Sequence, residues 1–298
     1  MVRITGTTQL VGVIGWPIEH SLSPVMHNAV YDELGLNWAY IPMPVEDEVG
    51  LRRVVAAIRA LPFVGFNITM PYKTAIIEVC DEVSAAAKMA NAVNTVHSVG
   101  GRLVGYNTDG RGMLESLSEE AGFESGGKKI VLVGAGGAAG AAIVAFVLGR
   151  AASVHVVSRD LMRADALVAR VEPYLGATEA SALAMDSAEE AVRSADLIVN
   201  ATPVGMRADE PSPVPAAWLH SGQVVLDMVY GRSTPTALVA EARAAGATAL
   251  DGLGMLVCQG AIAVDIWNAD HEVRTPRETM RAAARAEMDR RANGEADR

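Results

Sequence analysis

The sequence predicts an α/β protein containing a parallel sheet, and three observations point to it. Strand-like and helix-like segments alternate through the first hundred residues. A β-branched run at 129–133 leads into a Gly-rich turn, an Ala-rich helix to Leu148 and another strand at 153–157. That order is a βαβ unit, whose two strands pair in parallel. A polar, Gly-rich break at 124–128 separates the two patterns and is the best domain boundary.

The elements follow in order. Residues 10–14 read as a buried strand, and Ser23-Pro24 starts a helix, with Ser as cap and Pro in the first turn. That helix runs to about Leu34 and stops at Gly35. Residues 38–43 read as a second strand, and 49–61 have helical spacing at Val54, Val55, Ile58 and Leu61. A third strand covers 63–69, and Pro71 opens another helix. Residues 93–99 and 102–105, joined by Gly100-Gly101, suggest a hairpin. Asp109 then caps a helix to about Glu120. Beyond the βαβ unit, strands are expected at 197–200, 224–228 and 247–250, with helices between and a mostly helical stretch from Met255 onward. A second boundary falls near Asp251, and the tail after Asn293 reads as frayed.

The chain has 298 residues, half of them hydrophobic and a fifth charged, enough for one large or two ordinary domains. The formal net charge of −10 repels phosphate backbones, so nucleic acid is not an expected partner. Any anionic ligand must be held by a few local cations. Cys80 and Cys258 do not make a disulfide framework and fit a reducing cytoplasm. No signal peptide is read at the N-terminus, and no apolar run approaches the ~20 residues of a membrane span.

Gly134-x-Gly136-Gly137-x-x-Gly140 sits between a predicted strand and a predicted helix. Glycines there let the backbone approach a pyrophosphate, and the helix N-terminus offers free N–H groups and the positive end of the dipole. The next strand ends in Ser158-Arg159-Asp160-Leu-Met-Arg163. Acidic residues at this place bind the ribose diol of NAD, whereas arginines suit the 2′-phosphate of NADP. Arg159 and Arg163, one helical turn apart, favour NADP as cofactor. Asp160, if it points inward, favours NAD; both arginines also read as a solvated face paired to Asp160.

Four further strings lie before that loop. Ser21 and Ser23, with a helix N-terminus behind them, make a seat for a carboxylate, although Ser23 also reads as a plain cap. In Gly65-Phe-Asn67-Ile-Thr69-Met-Pro71-Tyr-Lys73, a strand ends and a helix begins, placing Lys73 in a first turn where the dipole disfavours a cation. Asn91-Ala-Val-Asn94-Thr95 and Gly105-Tyr-Asn107-Thr-Asp109-Gly110 complete the set. Asp109 is the natural anion for Lys73, and a Lys–Asp pair can exchange the proton that accompanies hydride loss from an alcohol. Taken alone, each string also reads as a cap or a surface ion pair. After the loop come Asn200-Ala-Thr202-Pro203-Val-Gly205-Met206 and Asp251-Gly252-Leu-Gly254-Met255-Leu-Val-Cys-Gln259-Gly260, with Met255 and Gln259 on one helix face.

Together these strings resemble the shikimate dehydrogenase family, in the expected order from about Leu10 to Gly260. The resemblance implies two α/β domains around a deep cleft: a substrate domain from residues 1–112 and 252–298, and a Rossmann-like NADP domain from residues 113–251. It implies reversible reduction of 3-dehydroshikimate to shikimate with NADPH. Ser21, Ser23, Thr69, Asn94, Asp109, Tyr230 and Gln259 would hold the substrate, with Lys73 as catalytic acid/base assisted by Asp109. Gly134, Ala135, Gly136, Gly137 and Ala138 would cradle the pyrophosphate. Ser158, Arg159 and Arg163 would line the adenosine phosphate, and Met228, Gly252 and Met255 would flank the nicotinamide. No metal is implied, and a homodimer is one assembly considered. The chain departs from the family in having Asn91 where Gly is frequent, and Ser158-Arg159-Asp160 where Asn-Arg-Thr is frequent. Ser23 favours shikimate over quinate. Two alternatives stand beside this reading: an NAD-dependent quinate/shikimate dehydrogenase, and a non-catalytic ligand-binding protein on the same fold, which predicts loss of the Lys73–Asp109 pair.

Overall fold

The strand–helix alternation of the first hundred residues folds as one mixed sheet. In this computed structural model, which describes residues 4–232, 234–269 and 274–294, the chain divides into two units. One runs up to Thr108 and resumes at Val257; the other runs from Asp109 to Leu256. The Gly-rich break at 124–128 lies inside the second unit.

In the first unit, β1 (Gln9–Gly15), α1 (Ser23–Leu34), β2 (Trp38–Pro44), α2 (Glu48–Ile58) and β3 (Phe63–Ile68) come in turn. A 3-10 turn (Ala75–Val79), β4 (Glu82–Val83), α3 (Ala85–Ala90) and the hairpin of β5 (Thr95–Val99) and β6 (Arg102–Tyr106) follow. The sheet order is β2-β1-β3-β5-β6-β4. β1 runs parallel to β2 and β3, whereas β5 is antiparallel to both β3 and β6. The amphipathic α2 buries Leu51, Val55 and Ile58 against Phe66 and Ile68 of β3. Each such fully buried side chain contributes about 1.5–3 kcal/mol. Asp47 starts the helix by accepting the Gly50 N–H at 2.6 Å.

Three sequence expectations are corrected here. Ser23 does not cap α1: Leu22 holds the cap position with no side-chain bond, and Ser21 Oγ accepts the Ser23 N–H at 3.2 Å. Pro71 opens a turn rather than a helix, because the Lys73 carbonyl accepts the Val93 N–H at 2.7 Å and is taken from any helical ladder. The dipole argument for Lys73 therefore falls. Asp109 is the first residue of its helix rather than the cap before it. β4 and α3, both short, carried no periodic signal.

His27 of α1 is fully buried and stacked on Tyr40, with ring centroids 4.2 Å apart. Its Nε2 has no hydrogen-bond partner, and burial pushes the imidazole down to about 3. An unfolded histidine titrates near 6.5, so below that pH the unfolded chain takes up a proton that the folded one refuses. Stability should thus fall by about 2 kcal/mol between pH 7 and pH 5 from this group alone. Urea unfolding of wild type and His27→Gln at both pH values reads it; equal pH slopes for the two would remove His27 as the cause.

The second unit carries α4 (Asp109–Ala121), β7 (Lys129–Val133), α5 (Gly137–Leu148), β8 (Ser153–Val157), α6 (Leu161–Val171), β9 (Glu179–Leu183) and α7 (Glu189–Ser194). Then come β10 (Leu197–Asn200), β11 (Val224–Asp227), α8 (Ala237–Ala244) and β12 (Thr248–Leu250). α9 (Leu253–Trp267) begins in this unit, and α10 (Arg277–Ala292) belongs to the first. The sheet is wholly parallel in the order β12-β11-β10-β7-β8-β9. This is the doubly wound Rossmann order, which reverses direction between β7 and β10. Its strands read as apolar runs because both faces are covered. β9, half-buried and alanine-rich, was not expected from sequence. The tail beyond Gly294 lies outside the described residues. Among the described residues, no helix is long and apolar enough to cross a membrane.

Candidate active site

In the first unit the predicted substrate residues gather at one sheet edge. β1 and β3 are parallel neighbours, so the segments carrying Ser21 and the Thr69–Lys73 turn leave the same edge. The Thr69 N–H donates to the Ile14 carbonyl at 2.9 Å, and the Trp16 N–H to the Met70 carbonyl at 3.0 Å. Antiparallel β5 starts where β3 ends, through the Asn67–Thr95 pairing, which brings Asn94 to this edge. Asn94 is almost fully buried and central. Its Oδ1 accepts the Thr108 N–H at 2.8 Å; its Nδ2 donates to Thr108 Oγ1 at 2.9 Å and to Gln259 Oε1 at 3.3 Å. The structure therefore joins Asn94 and Gln259, which are 165 residues apart in sequence. Lys73 is half-buried in its turn, and Ser21 and Ser23 are half-buried at the start of α1.

Sequence reading missed two members of this polar edge. Asn67, buried, donates to the Asn94 carbonyl at 3.1 Å and accepts the Tyr40 hydroxyl at 2.7 Å. Thr108 links Asn94 to Gln259. For Asn67, a polar residue inside an apolar strand was the available signal.

In the second unit, Gly134 leaves β7 at the switch point. Its φ of +111° favours glycine, and a Cβ would lie 2.9 Å from the Thr202 methyl group. Side chains added at Gly136 and Gly137 would instead meet nothing within 4 Å, so the turn is an open cradle. α5 starts there with no side-chain cap and no acidic residue in its first turn. Free N–H groups facing open space at a helix N-terminus fit a pyrophosphate.

At the end of β8, Asp160 caps α6, accepting the Arg163 N–H at 3.2 Å, and pairs with the Arg163 Nε at 3.2 Å. Ser158 Oγ accepts the Asp160 N–H at 3.1 Å. Arg163 thus shares its charge with Asp160 through an exposed pair, the pairing that the sequence also allowed. Arg159 is exposed, and its guanidinium bonds no other described residue. Met228 and Gly252 are brought together: a Cβ on Gly252 would lie 2.3 Å from the Met228 carbonyl oxygen. Met255 is buried three residues on, Tyr230 is half-buried beyond β11, and Asp109 is nearly buried at the start of α4. Asp227, unremarked in the sequence, is fully buried at the end of β11. Burial raises its carboxyl above the usual range; hydrogen bonds from Thr236, Val229 and Asn200 pull it back, and Asp251 pushes it up.

Residues 13–96 match a family model described as the shikimate dehydrogenase substrate binding domain, and residues 116–209 one described as shikimate/quinate 5-dehydrogenase. The NADP(+) shikimate dehydrogenase of Geobacter metallireducens is 43% identical over 268 residues, covering 89% of this chain and 92% of its own. The chain belongs to the shikimate dehydrogenase family. A solved shikimate dehydrogenase in complex with NADP+ superposes with a TM-score of 0.88 at 35% identity, covering 96% of this chain and 98% of its own. The enzyme from Thermus thermophilus, solved with NADP(H) and shikimate, gives 0.82 at 35% identity, over 93% of this chain and 99% of its own.

Proposed function

We propose that this chain catalyses the reversible, NADPH-dependent reduction of 3-dehydroshikimate to shikimate. The observation that carries the reading is the similarity to NADP(+) shikimate dehydrogenases over nine-tenths of the chain. Ser21 and Ser23 hold the substrate carboxylate; Thr69, Asn94, Asp109, Tyr230 and Gln259 hold its hydroxyls. Lys73 accepts the hydroxyl proton during oxidation and returns it during reduction, with Asp109 supporting its charge. The dinucleotide, when bound, accepts or delivers the hydride. Gly134 to Ala138 seat the pyrophosphate, Ser158, Arg159 and Arg163 the adenosine phosphate, and Met228, Gly252 and Met255 the nicotinamide. Because Asp160 is engaged as a helix cap and with Arg163, its charge opposes a 2′-phosphate less than its position in the sequence implies. That supports NADP over NAD, and Ser23 supports shikimate over quinate.

A steady-state assay of shikimate and quinate, each with NADP+ and NAD+, tests this. Turnover should be largest for shikimate with NADP+. A large NAD+ preference would overturn the cofactor assignment, quinate preference the substrate, and inactivity in all four arms the enzymatic reading. The free cysteines support a cytoplasmic location, and a homodimer is the proposed assembly, to be read by light scattering.

A further inference from the structure

One buried carboxylate in the second unit has three donors and, among the described residues, no cation. Asp227 Oδ1 accepts from Asn200 Nδ2 at 2.9 Å and from the Val229 N–H at 3.1 Å; Oδ2 accepts from Thr236 Oγ1 at 2.6 Å. The bonds continue outward. Asn200 Oδ1 accepts the Thr202 N–H at 3.0 Å and its hydroxyl at 2.6 Å, and Asn200 Nδ2 donates to the Val204 carbonyl at 3.0 Å. Thr236 caps α8 by accepting the Val239 N–H at 3.3 Å. A single side chain thereby ties together the end of β10, the loop at 201–206, the turn after β11 and the start of α8. Thr202 is the wall on which Gly134 rests. Val229 and Thr236 line a cavity together with Tyr230, Arg232 and Asp251.

A buried anion without a cation is costly, and an apolar side chain ending a parallel strand would cost less. What Asp227 adds is direction: three donors from three segments converge on two oxygens that only accept. Asparagine would turn a donor toward Thr236 or Asn200.

We propose that Asp227 is a positioning residue for the nicotinamide half of the dinucleotide, holding residues 201–206 and the Met228–Tyr230 turn at the crevice rim. The inference rests on the cofactor reading above. Its test compares two ligands by calorimetry: NADP+, and adenosine 2′,5′-bisphosphate, which fills only the half lined by Ser158 and Arg159. Asp227→Asn should weaken NADP+ about tenfold, as loss of one buried charged hydrogen bond predicts, and leave the bisphosphate within about twofold. Thr236→Val, which removes one donor, should weaken NADP+ about threefold, and Thr236→Ser should restore it. Equal weakening of both ligands, or unchanged NADP+ affinity in both Asp227→Asn and Thr236→Val, overturns the proposal. Should Asp227→Asn not fold, the Thr236 pair decides alone. A wild-type chain that binds neither ligand instead overturns the cofactor reading, and this inference with it.

Discussion

Lys73→Ala should lower kcat by about two to four orders of magnitude while shikimate affinity changes only a few-fold. Lys73 leaves the first unit's sheet edge on a turn whose backbone is pinned by Val93, so truncating the side chain leaves that backbone bond in place. The lost term is therefore the proton transfer. Lys73→Arg separates charge from proton transfer, since a guanidinium keeps the cation but does not release its proton at working pH. It should stay as slow as Lys73→Ala. Stopped-flow turnover with a parallel shikimate titration measures both. Turnover of Lys73→Ala within about threefold of wild type would remove Lys73 from the mechanism, and recovery in Lys73→Arg would reduce its role to electrostatics.

Arg159→Ala should raise the Michaelis constant for NADP+ by about 10- to 100-fold and that for NAD+ by far less. A charge-assisted hydrogen bond to a phosphate accounts for about 1.5–3 kcal/mol, which is that range of affinity. The structure makes Arg159 the sensitive arginine. Arg163 is engaged with Asp160, both partners more than half exposed, and that pair itself adds little to stability. Arg159 has no such partner among the described residues, so its guanidinium is available to a ligand. Equal rises for both cofactors would mean that Arg159 supports the adenosine half in general and does not read the 2′-phosphate.

The second unit was legible in sequence because its signals are local. The 129–133 run, the glycine turn and the Ala-rich helix follow one another directly, and a parallel strand covered on both faces must be apolar along its length. The hairpin at Gly100-Gly101 was legible for the same reason: turn chemistry sits in two adjacent residues. The helix placed at Pro71 was not, because a hydrogen bond from Val93, 20 residues away, takes the Lys73 carbonyl that a helix would have used. Ser23 was read as a cap, but Ser21, two residues earlier, accepts the N–H of Ser23 instead.

The sequence by itself therefore determined the α/β class, the dinucleotide turn, the family and the residue types available for proton transfer. These depend on neighbours in the chain or on motif order. Only the tertiary structure decided the antiparallel course of β5 in the first sheet, the joining of Asn94 to Gln259, the engagement of Asp160 with Arg163 and the burial of Asp227 among three donors. Strand direction, side-chain pairing and the burial of a charge are set by groups far apart in the chain, and no local pattern encodes which of them will meet.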